Sequence, residues 1–431
     1  MNEATAPGNE SAVRRIFKNA GALVSGKGVA GILSLGYLAI AARSLGPADM
    51  GMLVLAHAYA MTIAGVARFQ SWQAVIHFGT PLIETNEAAA FRRLVRYTAR
   101  IDVISALVGV ALAVAVAPVA ARLFHWNENI LSLVYVYALA VPFLMGATPT
   151  GVLRLFGKFR ILGLQMTIMP AVRFIGSIAA MTLGGGVEAF LTVWIVSAFA
   201  NGVSLWVIGW RELRKRALTP ALIGKADGAA DRRWLPFVLK TNGVSTLDLV
   251  NESVPVLLVG GILDSAAAGF FQLAQNVTNL LAHPTNMLNH ATFPELARVE
   301  AQQGHARMVR VALKSAGLAT AAALPFIAAF ILFRDQIATI VGGKDFLAAG
   351  AVIAGMALYQ VIRIVTVVFE SAAVARGKAG AAFVAQSVGA LGLIGAMWFL
   401  LPPMGVVAAA LALGVGRALM LAVLSWAVVR R

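Results

Sequence analysis

The chain has 431 residues, 59% of them apolar and only 13% charged, and its mean hydropathy of +0.81 lies far outside the range of soluble domains. A formal net charge of +16 would point to nucleic acid in a soluble protein; here the basic residues flank apolar segments, and membrane topology accounts for them, so no nucleic-acid partner is expected. With no cysteine, disulfides, thiolate metal sites and a cysteine nucleophile are excluded.

A membrane-spanning helix needs about 20 mostly apolar residues. Twelve such stretches are predicted, at 18–43, 52–79, 99–121, 130–153, 161–183, 188–210, 236–261, 268–292, 311–333, 347–374, 380–401 and 404–429. Residues 1–17 are polar and the first apolar run is long enough to span, so no cleavable signal is expected. Of the 35 Lys and Arg, 26 fall in the two tails and in every second connection; Arg43, Arg122, Arg334 and Lys344 alone occupy the others. This asymmetry puts both termini and the basic connections in the cytoplasm of a multi-pass, inner-membrane protein. The expected organisation is a cytoplasmic tail (1–17), an N-lobe of six helices (18–210), a basic cytoplasmic linker (211–235) and a C-lobe of six helices (236–431).

The two halves share a pattern. Leu45 and Gly51, between the first and second spans, correspond to Leu263 and Gly269, between the seventh and eighth, both at a separation of 218. Further on, Arg93-Leu-Val-Arg96 matches Arg307-Met-Val-Arg310. Because six is even, both copies would enter the membrane in the same direction. Parallel six-helix lobes around a central cavity are an architecture of secondary transporters.

Eight ionisable residues stand out inside the predicted spans: Lys27, Arg68, Arg173, Asp248, Glu252, Arg363, Glu370 and Arg417. Each costs roughly 3 kcal/mol at the bilayer centre, so they are expected to face inward. In the eighth span Gln272, Asn276, Asn279, His283, Asn286 and His290 recur every three or four residues and draw a polar stripe down one face. Thr241, Ser245, Asp248 and Glu252 draw a second stripe on the seventh. His57 and Arg68 share a face of the second span, and Gln360, Arg363 and Glu370 a face of the tenth. A hydrated inter-lobe cavity with a basic balance follows, suited to a phosphorylated head group and sugar hydroxyls. Its expected substrate-binding residues are Arg68, Arg363, Arg173, Lys27, His57, Gln272, Asn276, Asn279, His283 and Asn286. The Asp248 and Glu252 pair, at i and i+4, is the expected coupling site for a proton or sodium ion. Pro142, Pro149, Pro170, Pro255 and Pro284 mark bends in four of the helices.

Arg43-Ser-Leu-Gly-Pro-Ala-Asp-Met-Gly51 resembles the helix 1 to helix 2 signature of the polysaccharide transporters, the oligosaccharide flippases of the multidrug, oligosaccharidyl-lipid and polysaccharide exporter superfamily. Trp72-Gln-Ala-Val-Ile-His-Phe-Gly79 is similar to the end of helix 2 in those proteins. The resemblance implies transfer of undecaprenyl-pyrophosphate-linked sugar repeat units to the periplasmic leaflet by alternating access. The products would be O-antigen, capsule or exopolysaccharide, made alongside glycosyltransferases and a polymerase. Lipid II flippases of the superfamily usually carry fourteen helices; this chain has room for twelve.

Enzyme motifs are missing: there is neither a His-Glu-x-x-His zinc helix nor a Gly-x-x-x-x-Gly-Lys-Ser/Thr phosphate loop. No cofactor, resident metal or catalytic residue is expected. A multidrug or cation antiporter of the same superfamily is the rival reading, for which the cavity should lean acidic. A membrane polysaccharide polymerase is a further alternative, but the connections leave no room for the long periplasmic loop it would need.

Overall fold

The computed structural model describes residues 8–221, 233–238 and 252–429. Among them every regular element is helical, as lipid demands: it offers no hydrogen-bond partner, so a spanning backbone pairs its own N–H and C=O groups. In the first half α1 (Gly8–Ala67), α2 (Ser71–Glu84), α3 (Ala88–Leu123), α4 (Glu128–Ala138), α5 (Ala147–Leu155), α6 (Phe159–Gln165), α7 (Ile168–Thr182) and α8 (Val187–Lys215) follow one another. The second half holds α9 (Val254–Ile262), α10 (Ser265–Gln303), α11 (His305–Leu332), α12 (Arg334–Gly342), α13 (Ala349–Ala375), α14 (Ala379–Met404) and α15 (Ala408–Val429).

Among the described residues seven helical stretches are long and apolar enough to cross a membrane, and the pair Glu128–Ala138 with Val141–Leu155, bent by 61°, makes an eighth. Two of the seven, Gly26–Glu84 and Gly380–Val428, run for 59 and 49 residues. At 1.5 Å per residue each is long enough for two crossings of a hydrocarbon layer about 30 Å thick. Half of the expected seventh span 236–261, residues 239–251, lies outside the described residues. Apolar side chains such as Val103, Ile104, Leu107 and Leu391, Phe399 stand exposed, the inside-out pattern of a protein solvated by lipid. The protein is an all-α, multi-pass membrane protein.

The breaks have local causes. Gly46 takes φ 74°, a left-handed conformation that glycine adopts without a Cβ clash, and Pro47 follows without an N–H to donate. Pro142 lies in the 3₁₀ turn Val141–Leu144 between α4 and α5. Pro149, Pro170 and Pro255 sit in the first turns of α5, α7 and α9, where a missing N–H costs nothing. These prolines therefore start helices, whereas α10 runs unbroken past Pro284.

Two compact units emerge, and they do not follow chain order: one is made of 1–37, 63–116 and 135–245, the other of 38–62, 117–134 and 246–431. In the first, Val75, Phe91, Val152 and Leu213 form a core. In the second, Met308, Phe369, Ala372 and Leu424 do so. The second unit thus takes in the segment after the Gly46 kink, and there the sequence repeat becomes visible in space. A Cβ on Gly51 would collide with the Ser265 carbonyl, and one on Gly269 would lie 2.5 Å from the Pro47 carbonyl. Ser265 is the repeat mate of Pro47 and Gly269 that of Gly51, so the two contacts are reciprocal, as a pseudo-two-fold axis requires.

Candidate functional site

Within the second unit Glu252, just before α9, and residues of α10, α13, α14 and α15 line a cavity of about 530 Å³. Its lining includes Glu252, Gln275, Asn279, Tyr359, Gln360, Arg363, Glu370, Gln386 and Arg417. Gln360 Nε2 donates to the Thr278 carbonyl at 3.3 Å, tying α13 to α10. Its amide oxygen accepts from Arg363 Nη1 at 3.4 Å, and Arg417 Nε donates to the Tyr359 hydroxyl at 3.2 Å. Gln275 Nε2 reaches the backbone oxygen of Glu252 at 3.3 Å. The bond from Arg363 is long and its partner neutral, and an arginine offers its donors in a fork that matches phosphate.

The described residues of this lining include two arginines and two glutamates. Glu252 and Arg417 both act electrostatically on Arg363. Sugar hydroxyls would find Gln275, Asn279, Gln360 and Gln386 as donors and acceptors.

The first unit handles its most buried cation in another way. Arg173, 3% exposed, donates from Nε to Ser197 at 3.0 Å and from Nη1 and Nη2 to the hydroxyls of Tyr37 and Tyr137 at 3.2 and 3.3 Å. Its guanidinium lies 4.2 Å from the centre of the Trp194 ring. Among the described residues no carboxylate pairs with it. Hydroxyls and aromatic faces solvate the charge in place of water, which makes Arg173 a cross-link between α1, α4, α7 and α8.

Asp102 is another buried charge of that unit. It accepts from Ser71 Oγ at 2.8 Å and from the Thr148 backbone N–H at 2.7 Å. Ser71 starts α2 and Thr148 lies in the first turn of α5, so one carboxylate on α3 caps α5 through a backbone N–H and ties down the start of α2 through a side-chain hydroxyl. Arg68, in the break before α2, acts on it electrostatically. Beside them Arg154 stands 4.3 Å over the ring of Trp72.

Of the residues expected at the site, the cavity brings together Arg363, Asn279 and Glu252. Gln272 and Asn276 are half-buried on α10 outside its lining, and His57 is half-buried after the Gly46 kink. Lys27 is exposed, and Arg173 and Arg68 belong to the first unit. The side chains of His283, Asn286 and His290, and all of Thr241, Ser245 and Asp248, lie outside the described residues. Sequence reasoning missed Gln275, Tyr359 and Gln386 as lining, and Asp102 altogether. Gln275 and Asn279 stand at i and i+4 and would have shifted the polar face of the eighth span by one position. Asp102 stands near the start of the third predicted span, two residues after Arg100, and was not among the residues singled out.

The sequence profile of a family described as polysaccharide biosynthesis protein matches residues 40–350. The inner membrane protein YghQ of Escherichia coli (strain K12) is 28% identical over 344 residues, which covers 79% of this chain and 96% of that protein. Among solved structures, a multidrug resistance MATE family transporter of the MOP superfamily, in its inward-facing conformation, superposes with a TM-score of 0.69 at 15% identity, covering 94% of this chain and 93% of that one. The lipid II flippase MurJ, in an inward closed conformation, superposes with a TM-score of 0.71 at 14% identity over 94% and 86%. At such identities the likeness shows a shared fold.

Proposed function

Because the chain belongs to the polysaccharide biosynthesis protein family, whose profile spans residues 40–350, we propose that it flips undecaprenyl-pyrophosphate-linked oligosaccharide repeat units. The direction is from the cytoplasmic to the periplasmic leaflet of the bacterial inner membrane, by alternating access, with both termini cytoplasmic. The observation that carries this reading is the cavity in the second unit, where Arg363 and Arg417 stand among four carboxamide side chains. Arginines suit a pyrophosphate, and carboxamides suit sugar hydroxyls. A volume of about 530 Å³ is in the range of small-molecule sites. It takes a head group and the first sugar, with the prenyl chain left in lipid. No bond is made or broken: the protein replaces the water around a charged head group with fixed donors. Glycosyltransferases that build the repeat unit and a polymerase that consumes it are the partners such a step needs.

Purified protein in proteoliposomes should move a fluorescent undecaprenyl-pyrophosphate oligosaccharide between leaflets, measured by accessibility of the sugar to an impermeant lectin. Equal rates in empty liposomes would overturn the assignment. A second reading, export of organic cations, is favoured by one feature only, the presence of Glu252 and Glu370 in the same lining. Drug-dependent proton efflux from the same vesicles, without lipid transfer, would select it.

A further inference from the structure

The end of α8 carries a surface that no part of the transport step above uses. α8 is long and apolar enough to cross a membrane. Val196, Phe199, Val203 and Val207 are exposed along it, and their spacing of three or four residues draws one apolar stripe down the helix. Continued by three, four and seven residues past Val207, the same stripe reaches Trp210, Arg211 and Arg214. The rings of Trp206 and Trp210, with centres 6.3 Å apart, mark the level at which hydrocarbon gives way to head groups, since an indole has an apolar body and one N–H to hydrate. Just beyond them Arg211 and Arg214 stand exposed.

The other cations of that turn are occupied. Glu212, 3% exposed, is the single carboxylate between residues 189 and 226. It pairs with Lys158 at 3.5 Å, with Lys215 at 3.9 Å and with Arg216. Arg92 donates to the Ala217 carbonyl at 3.2 Å and closes the helix end. Among the described residues Arg211 and Arg214 make neither a hydrogen bond nor an ion pair.

We propose that this end of α8 is a docking surface for an anionic phospholipid of the cytoplasmic leaflet, with Arg211 and Arg214 on its phosphate and the Val196–Val207 stripe against its acyl chains. Charge and order along the helix select the occupant. The cytoplasmic leaflet is rich in anionic lipids, and an arginine holds a phosphate through paired N–H groups. A phospholipid offers acyl chains and then a phosphate in the sequence in which α8 presents valines and then arginines; an acidic soluble protein would answer the arginines alone. The positive-inside rule asks only that cations stay on one side during insertion. It does not ask that a lipid-facing stripe run into two arginines without a carboxylate. The surface belongs to a membrane protein of any cargo, so it stands apart from the flippase reading.

The test uses the full chain in phosphatidylcholine vesicles. Because the sequence has no cysteine, Val207→Cys carries a single fluorophore on the stripe, one turn before the arginines, and brominated lipids quench it on contact. At equal mole fraction brominated phosphatidylglycerol should quench it more than brominated phosphatidylcholine, and added salt should shrink the difference. Arg211→Gln together with Arg214→Gln should lower the relative binding constant of phosphatidylglycerol about fivefold for each cation removed, roughly twenty-five-fold for both. Lys at both positions should keep most of it. Arg122→Gln with Lys344→Gln takes the same net charge from elsewhere in the chain and should leave the preference as it is in the wild type. Equal quenching by the two lipids in the arginine-containing protein overturns the proposal whether or not any Gln variant folds. Equal losses in the two Gln pairs overturn it as well, because net charge alone would then be at work. Undecaprenyl pyrophosphate is the last probe: at matched head-group charge it should displace brominated phosphatidylglycerol no better than unlabelled phosphatidylglycerol does. Preferential displacement would give the surface to that lipid and overturn its assignment to bulk phospholipid.

Discussion

The two units treat an intramembrane arginine in opposite ways. Arg173 in the first is buried to 3% and bonded through three nitrogens to hydroxyls; Arg363 in the second lines a cavity and holds one long bond to Gln360. Both carry the same cost of leaving water, and both were candidates for binding substrate on the same argument from depth. What separates them is whether neighbours use up the donors. A cation whose fork is filled by Tyr37, Tyr137 and Ser197 holds helices together, and one that keeps free donors beside open volume can hold a ligand.

The sharpest way to break that comparison is to delete each arginine and ask what is lost. Arg173→Ala removes three charge-assisted hydrogen bonds, to the hydroxyls of Tyr37, Tyr137 and Ser197, each worth roughly 1.5–3 kcal/mol, and also removes a ring contact worth about 2 kcal/mol when desolvated. It should cut the amount of folded protein in the membrane and lower the melting temperature in detergent, and Arg173→Lys should not restore them, since an ammonium cannot reproduce the fork. Arg363→Ala and Arg417→Ala should leave melting nearly unchanged. Each should weaken undecaprenyl-pyrophosphate binding about ten- to a hundredfold, the equivalent of roughly 1.5–3 kcal/mol for one charge-assisted contact. Loss of folded protein in the Arg363 variant would place that arginine with Arg173 as a structural residue.

The reciprocal glycines sharpen the comparison from the backbone side. Gly51 and Gly269 meet carbonyls of Ser265 and Pro47 so closely that no side chain fits without a shift. Overpacking of this kind costs about 1–3 kcal/mol. Gly51→Val or Gly269→Val should therefore depopulate the conformation described here. Because the chain has no native cysteine, single cysteines on α1 and α10 can report the opening by thiol labelling. Equal labelling in wild type and variant would show the contact to be incidental.

The helical fold, the break at Gly46 and the repeat mates Gly51 and Gly269 could all be read in the sequence, since hydropathy and glycine-proline punctuation act locally and leave a linear trace. The site was legible in part. Asn279, Glu252 and Arg363 could be named because each is a polar residue at membrane depth, but depth is shared by Arg173, whose role depends on Tyr37, Tyr137 and Ser197, 136, 36 and 24 residues away in the chain. Periodicity on a single helix tells which residues share a face and is silent on what that face meets. Asp102 shows the same limit: its partners Ser71 and Thr148 are 31 and 46 residues distant.

The smallest expected effect separates the two readings of the cavity. Gln275 reaches the backbone oxygen of Glu252, not its carboxylate, so Glu252→Gln keeps that tie to α10 and removes a charge from the cavity lining. If the ligand is a pyrophosphate, removing a negative charge that faces the same space should strengthen binding slightly, by less than about 1 kcal/mol, because the carboxylate is exposed and screened. If the ligand is an organic cation, the same change removes an attractive partner, so affinity must fall. Titrating one Glu252→Gln preparation with undecaprenyl pyrophosphate and with a lipophilic cation dye gives both signs. Weaker dye binding together with unchanged or weaker lipid binding would transfer the cavity to the antiporter reading, while the cross-linking role of Arg173 would stand unaffected.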